Sequence, residues 1–191
     1  MAVEVRLQSP KQTQNPLMEF YAEQKVTLET ARKIEAAIQK YSREFDLDPN
    51  LVRSIIFVES TFKPHAQVKS YNPKTGKTKH FYGLFQLDDR IVKQYGVKNW
   101  NSIDENIKAG CHMLKDIYDF MKDKDLKLRP FPNSPLDANM VAAVYGRNVG
   151  QFGAVKKIHS GLNTLSKITE ARPHVKKVLH QFELFQKMHE V

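Results

Sequence analysis

Glu59 is the residue of this sequence whose surroundings best suit it to acid–base chemistry. It closes an apolar helical segment, in which Val52 and Ile55 share a face with it at helical spacing. Pro49 is typical of a first helical position, and Pro64 predicts a helix end soon after Glu59. We therefore expect one carboxyl group on the buried face of an interior helix, in its last turn.

Two effects are expected to raise the pKa of this carboxyl group. Burial disfavours the charged form, and so does the partial negative charge at a helix C-terminus. A carboxyl group of raised pKa can hold a proton near neutral pH and donate it as a general acid. The alternative is a glutamate at the rim of the core that reaches water or an arginine. The helix alone favours that alternative.

The rest of the sequence predicts a mainly α fold with room for one small β-hairpin. Residues 1–24 are polar and interrupted by prolines, which predicts a flexible N-terminal arm, and residues 25–191 are expected to form a single domain. Besides the Glu59 helix, apolar spacing and capping residues predict helices over residues 27–45, 88–95, 102–122, 136–145 and 169–189, and a further helix or pair of turns over residues 149–160.

Residues 67–82 are rich in lysine, asparagine, glycine and proline, and they predict an irregular hairpin that turns at residues 72–76. Four lysines lie in it: Lys69, Lys74, Lys77 and Lys79. A solvated loop is the favoured interpretation. A basic flap beside an active cleft is the alternative.

Composition narrows the class of protein. The chain has 191 residues, and no apolar run approaches the length of a membrane span. The N-terminus lacks the pattern of a secretory signal. The single cysteine, Cys111, excludes an internal disulfide and is expected in the core. The seven histidines show no zinc spacing, so we expect neither a metal nor another cofactor.

The net charge of +9 indicates an anionic partner: nucleic acid, an anionic membrane or an anionic cell-wall polymer. The basic residues are scattered, and no helix-turn-helix, zinc-finger or RNA-recognition pattern is present. Specific nucleic-acid binding is therefore not expected.

Five short segments occur in an order that is typical of one enzyme family. They are residues 59–66 (ESTFKPHA), 83–87 (GLFQL), 105–114 (ENIKAGCHML), 142–146 (AAVYG) and 170–175 (EARPHV). They resemble, in turn, the E-S-x-F-x-P-x-A, G-L-M-Q, N-I-x-A-G, A-Y-N-A-G and E-T-R-x-Y-V segments of the soluble lytic transglycosylases, which are relatives of goose-type lysozymes. The resemblance covers roughly residues 30 to 182.

The resemblance implies a lysozyme-like α fold whose cleft binds the glycan strands of peptidoglycan. It also implies cleavage of the β-1,4 bond between N-acetylmuramic acid (MurNAc) and N-acetylglucosamine (GlcNAc). Glu59 would act first as general acid and then as base, and a 1,6-anhydro ring would form. Substrate-assisted glycosidases need no enzyme nucleophile, so a second carboxylate is not required. The resemblance therefore favours a catalytic role for Glu59 over a solvated glutamate at the rim of the core.

The same resemblance assigns further residues to substrate contact. Ser60 and Gln86 would bond the sugars near the scissile bond, Gly83 would let the backbone approach the sugar, and Tyr145 would line the cleft. Each has a structural alternative: a serine bonded to its own helix, an amide bonded to the backbone, a turn glycine and a core tyrosine. For Ser60 and Gln86 the functional interpretation is favoured, whereas the core position competes strongly for Tyr145.

Two positions depart from the family pattern. The segment after Tyr145 reads Gly-Arg-Asn148 where the family has Asn-Ala-Gly, and Asn148 is the candidate replacement for the family asparagine. His174 stands where a tyrosine is usual, and it would add a group that titrates near neutrality. Asn148 and His174 are the two further candidates for substrate contact.

The sequence thus predicts a peptidoglycan lytic transglycosylase. The alternatives are a hydrolytic muramidase on the same fold and a non-catalytic module that binds or assembles on cell-wall glycan. Without a secretory signal, the enzyme is expected in a phage virion, in the host cytoplasm until lysis, or in a secretion machine. It would then act on periplasmic or cell-wall peptidoglycan, with its positive charge aiding peripheral contact with the anionic envelope.

Overall fold

The computed structural model describes residues 15–126, 128 and 134–189. Its helices, in chain order, are α1 (Pro16–Glu23), α2 (Leu28–Glu44), α3 (Pro49–Ser60), α4 (Asp89–Gln94), α5 (Ile103–Lys122), α6 (Ala138–Val149), α7 (Gln151–His159), α8 (Leu165–Ala171) and α9 (Pro173–His189). The strands are β1 (Gln67–Asn72), β2 (Lys77–Tyr82) and β3 (Leu87–Asp88), which form one antiparallel sheet in that order. The prediction of a mainly α fold is confirmed.

Helix α3 lies in the core between α2 and α9. The Asp48 carboxylate caps its start by accepting a hydrogen bond of 2.7 Å from the Asn50 N–H. The helix ends where Thr61 adopts a left-handed conformation and its N–H donates to the Phe57 carbonyl at 2.9 Å. Four apolar side chains of this helix are at most 1% exposed: Leu51, Val52, Ile55 and Ile56. Glu59 therefore lies in the last turn of an interior helix, as predicted.

The prediction of a flexible arm over residues 1–24 is wrong for residues 16–23, which form a helix. Residues 1–14 lie outside the described residues, but Pro16–Glu23 forms α1, with Leu17 and Tyr21 buried. Asn15 accepts hydrogen bonds from the first turn, and Pro16 stands at the first helical position. Proline is compatible with that position because the N–H it lacks has no partner within the helix, so here it begins a helix instead of interrupting one.

A buried arginine joins α1, α2 and α3. The Arg53 side chain is fully buried and donates to both carboxylate oxygens of Glu35, at 2.7 and 2.6 Å. The Tyr21 hydroxyl donates to the same carboxylate at 2.6 Å. The two-pronged contact satisfies a charge that would otherwise be costly to bury.

Two predicted helices have other bounds in the structure. Helix α6 is capped by Asp137 and begins at Ala138, after the predicted start near residue 136, and it continues past Tyr145 to Val149. The predicted helix 169–189 is two helices, α8 and α9. Arg172 separates them in an extended conformation, because a residue before proline is disfavoured from the helical region.

The predicted hairpin is present as β1 and β2, and β3 adds a short strand that was not predicted. The register pairs Val68 with Phe81 and Tyr71 with Thr78. At its other edge, β2 pairs with β3 through Phe81 and Asp88. The sheet therefore connects the hairpin to the loop of residues 83–86 and to the start of α4.

Candidate active site

Glu59 lines a groove of about 630 Å³, although its side chain is only 14% exposed. One part of the groove comes from β2, the loop after it and α4, and another comes from the segment where α6 meets α7. The residues of the site that line it are Glu59, Gln86, Asp88, Arg90, Arg147 and Asn148. Glu59 is thus both largely buried and open to a ligand.

Two cationic or protonatable side chains hold one oxygen of this carboxylate. Arg147 forms an ion pair with Oε1 of Glu59 through Nη1. His174 Nε2 lies 2.9 Å from the same oxygen, within ion-pair distance but without hydrogen-bond alignment. No residue that the structure describes donates a hydrogen bond to Oε2. That second oxygen is the one available to a substrate.

The predicted rise in the pKa of Glu59 is wrong. Burial raises the pKa of this carboxyl, but the charge of Arg147 and the proximity of His174 outweigh burial. The pKa of Glu59 therefore lies below its ordinary value. The sequence shows the burial and the helix end, but the arginine comes from another helix.

Arg147 is the functional candidate that sequence reasoning missed. It lies in the last turn of α6, its side chain is 7% exposed, and it also donates to the Phe85 carbonyl. It is the one charged residue in the otherwise uncharged sequence of α6. A lone charge in an interior helix could have been taken as a signal, because such a charge needs a buried partner.

Gln86 lies in the floor of the groove, in a left-handed conformation with φ of 48°. Its Nε2 donates to the carbonyls of Gly83 and Ala66, at 2.9 and 3.1 Å. The side-chain oxygen of Gln86 accepts no hydrogen bond from the described residues. This fixed amide therefore presents an acceptor to the groove.

Asn106 of α5 holds the loop that carries Gln86. Its side chain is 1% exposed, accepts from the Phe85 N–H at 2.8 Å and donates to the Tyr82 and Trp100 carbonyls at 3.1 Å each. One buried amide satisfies three backbone groups, at the end of β2 and in two loops, which fixes the position of Gln86 relative to α5.

The remaining predicted site residues take different positions. Asn148 lines the groove and donates to the Val144 carbonyl at 2.9 Å. Ser60 is buried and bonds its own helix at the Ile56 carbonyl, 3.0 Å away. Tyr145 is 1% exposed in the core, and Gly83 packs against Asn106.

The structure therefore brings Glu59, Gln86 and Asn148 into one groove, with His174 beside the carboxylate. It places Ser60, Gly83 and Tyr145 behind the groove surface. The substrate contacts assigned to all of these residues stay predictions.

Residues 36–165, more than half of the chain, match the family model of the transglycosylase SLT domain. The chain belongs to this family. The predicted lysozyme-like α fold and lytic transglycosylase family are thereby confirmed. No curated protein matches the sequence. The family match includes Glu59, Gln86 and Arg147, whereas His174 lies beyond its end.

Membership of the transglycosylase SLT domain family indicates an enzyme that acts on peptidoglycan. Within the part of the chain that the structure describes, no helix is both long and apolar enough to cross a membrane. The predicted association with a virion or a secretion machine stays a prediction, because the family match concerns the domain alone.

Proposed function

We propose that this chain is a peptidoglycan lytic transglycosylase that cleaves the MurNAc–GlcNAc β-1,4 bond and leaves a 1,6-anhydro end. The observation that carries the proposal is the Glu59 carboxylate, which is largely buried in a groove with one oxygen held and the other available. Its neighbours Gln86 and Asn148 supply amide groups of the kind that bind sugar hydroxyl and N-acetyl groups.

In this mechanism protonated Glu59 donates its proton from Oε2 to the glycosidic oxygen. The bond between that oxygen and C1 of MurNAc breaks, and the oxygen of the substrate's own 2-acetamido group bonds to C1. The Glu59 carboxylate then removes the proton of the 6-hydroxyl. The 6-oxygen attacks C1, displaces the acetamido oxygen and closes the anhydro ring, which restores the protonated acid without a water molecule.

Arg147 would favour the second half of this cycle, in which Glu59 acts as base, over the first half, in which it acts as acid. The ion pair stabilises the carboxylate, which is the form that acts as base on the 6-hydroxyl. The first half needs the protonated acid, which the same contact makes scarcer. We therefore expect the reaction to be favoured at acidic pH.

A hydrolytic muramidase on the same fold is the second candidate, because Asp88 lines the groove with Glu59. A second carboxylate can activate a water molecule on the opposite face of the sugar. One oxygen of Asp88 already accepts from the Ile91 N–H at 2.9 Å as the cap of α4, which leaves the other oxygen for this role.

Digestion of purified sacculi, with the products read by mass spectrometry, tests both proposals. Glu59→Gln removes the acid, and Glu29→Gln, at an exposed glutamate of α2, is the matched control. Products lighter than reducing muropeptides by one water, formed by wild type and Glu29→Gln but not by Glu59→Gln, support the transglycosylase. Reducing ends support the muramidase. If wild type releases no product, the non-catalytic glycan-binding module is the better account.

A further inference from the structure

The β1–β2 hairpin has two different faces, and only one belongs to the groove. In an antiparallel pair, opposite residues point to the same side and successive residues alternate. Lys79 and Phe81 line the groove, so their partners Ser70 and Val68 belong to that face as well. Lys69 and its partner His80 belong to the opposite face.

The groove carries three cationic side chains that form no ion pair with a carboxylate of the described residues. Lys79, Arg90 of α4 and Arg172 are exposed, line the groove and take part in no ion pair with a described residue. Arg147, by contrast, is paired with Glu59. Asp88 is the remaining carboxylate of the groove, and one of its oxygens is bonded to the backbone.

Lys79 and Arg90 line the groove from two elements that contact each other, β2 and α4. The ladder between β2 and β3 pairs Phe81 with Asp88. Lys79 comes two residues before Phe81 on β2, and Arg90 lies in the first turn of α4, which begins directly after Asp88. Two cations without an ion-pair partner on contacting elements of one groove suit a ligand that carries carboxylates.

We infer that Lys79 and Arg90 bind the carboxylates on the side arms of muramic acid, so that the groove takes the glycan as an acidic polymer. The inference rests on the proposed function. The sugar rings and N-acetyl groups of the strand are uncharged, and its carboxylates lie on the lactyl group or, where a peptide stem is attached, on that peptide. The cations lie inside the groove that holds Glu59 rather than on a flat outer face, which favours the groove's own ligand over a membrane surface.

Binding of soluble glycan fragments tests the inference. All proteins carry Glu59→Gln, so that no fragment is cleaved during the measurement. Lys79→Gln with Arg90→Gln removes the two groove cations. The matched control is Lys69→Gln with Arg32→Gln, which removes two exposed cations from the opposite hairpin face and from α2. Three glycan fragments of equal length are compared. The first carries its peptide stems, the second carries stems whose carboxyl groups are amidated, and the third has no peptide and keeps the free lactyl carboxylate.

We expect the Lys79/Arg90 pair of substitutions to weaken binding of the peptide-bearing fragment about five- to tenfold, and the control to change it by less than about twofold. Amidation should remove most of this difference. Equal weakening of the peptide-free fragment would show that the two cations bind the lactyl carboxylate where no stem is attached and a stem carboxylate where one is. Weakening of the peptide-bearing fragment alone would assign the contact to the stem.

The inference fails if the amidated fragment is as sensitive to the two substitutions as the native fragment. It also fails if the control weakens binding equally, or if no fragment binds. Cleavage by a protein with an intact Glu59 is measured separately. An inactive enzyme that still shows carboxylate-dependent binding would overturn the proposed reaction and leave the inferred contact in place.

Discussion

Arg147 and Glu59 form an ion pair between the last turns of α6 and α3, across 88 positions of sequence. The contact places a fixed positive charge on the carboxylate that the proposed reaction uses as acid and base. The same contact leaves the second oxygen of Glu59 open to the groove. The pKa of Glu59, a residue of α3, is therefore lowered by an arginine of another helix, α6.

Replacing Arg147 by glutamine should move the alkaline limb of the pH–rate profile to higher pH. The proposed first step needs protonated Glu59, so activity falls as the pH rises through the pKa of this carboxyl. Arg147 holds that pKa below its usual range, and its loss should raise it. Initial rates on sacculi across pH check the shift.

The matched control for that experiment is Arg32→Gln, at an exposed arginine of α2 that takes no part in the ion pair with Glu59. It should leave the position of the alkaline limb unchanged. An alkaline limb that stays in place in Arg147→Gln would show that the ion pair does not set the protonation of the working acid.

Acidification should destabilise wild type more than Glu59→Gln. The pKa of Glu59 is lower in the folded chain than in the unfolded chain, so the ionised carboxylate stabilises the fold above the unfolded value, about 4.3. That contribution is lost as the pH falls through the folded value. Urea unfolding at about pH 6 and about pH 3 should show a larger loss of unfolding free energy for wild type. Equal losses would contradict the depressed pKa.

Gly83→Ala should lower the free energy of unfolding by about 2 to 4 kcal/mol. Gly83 has φ of 70°, and an added Cβ would lie 2.8 Å from Asn106 Cγ and 2.8 Å from the Trp100 carbonyl oxygen. Gly76 is the natural control, because its φ is 65° but a Cβ there meets no atom within 4 Å. Gly76→Ala should cost about 1 kcal/mol from backbone strain alone. Equal costs in urea unfolding would show that the packing against Asn106 does not matter.

Phe152→Ala should raise the KM for glycan about fivefold while changing the unfolding free energy by less than about 1 kcal/mol. Phe152 of α7 packs edge-to-face against Phe120, but it is 74% exposed and lines the groove, so the exposed part of its ring can cover the apolar face of a sugar. Tyr71→Ala removes a ring that is 64% exposed on the hairpin face opposite the groove, and it should leave KM unchanged. The idea fails if both variants change KM alike.

Much of the fold could be predicted because its signals are local. The Glu59 helix and the first predicted helix carry their caps and their apolar spacing within a few residues, and the hairpin carries its turn residues. The break at Arg172 has a local cause in Pro173, but a proline near a helix start is also compatible with one continuous helix over residues 169–189. Pro16 is compatible with a first helical position in the same way, although the polar composition of residues 1–24 predicts an arm.

The site was less predictable because its contacts are long-range. Glu59 follows from its own helix and from the resemblance, whereas the ion pair with Arg147 depends on how α3 and α6 pack. The wrong direction for the pKa of Glu59 is a consequence of that missing partner. Ser60 follows Glu59 in the sequence, and Tyr145 precedes Gly146, which also lines the groove. The turn of the helix nevertheless directs the side chains of Ser60 and Tyr145 into the interior.

The separation of the site residues along the chain also bears on how the protein folds. Helices such as α3 and α6 form from neighbouring residues, whereas the Glu59–Arg147 contact closes a loop of 88 positions, and His174 joins from still farther along the chain. Long-range closure of this kind follows local structure in time. During refolding, the helical signal should therefore return before activity does. A partly folded chain with most of its helices formed would hold no assembled acid–base centre and could not cut glycan.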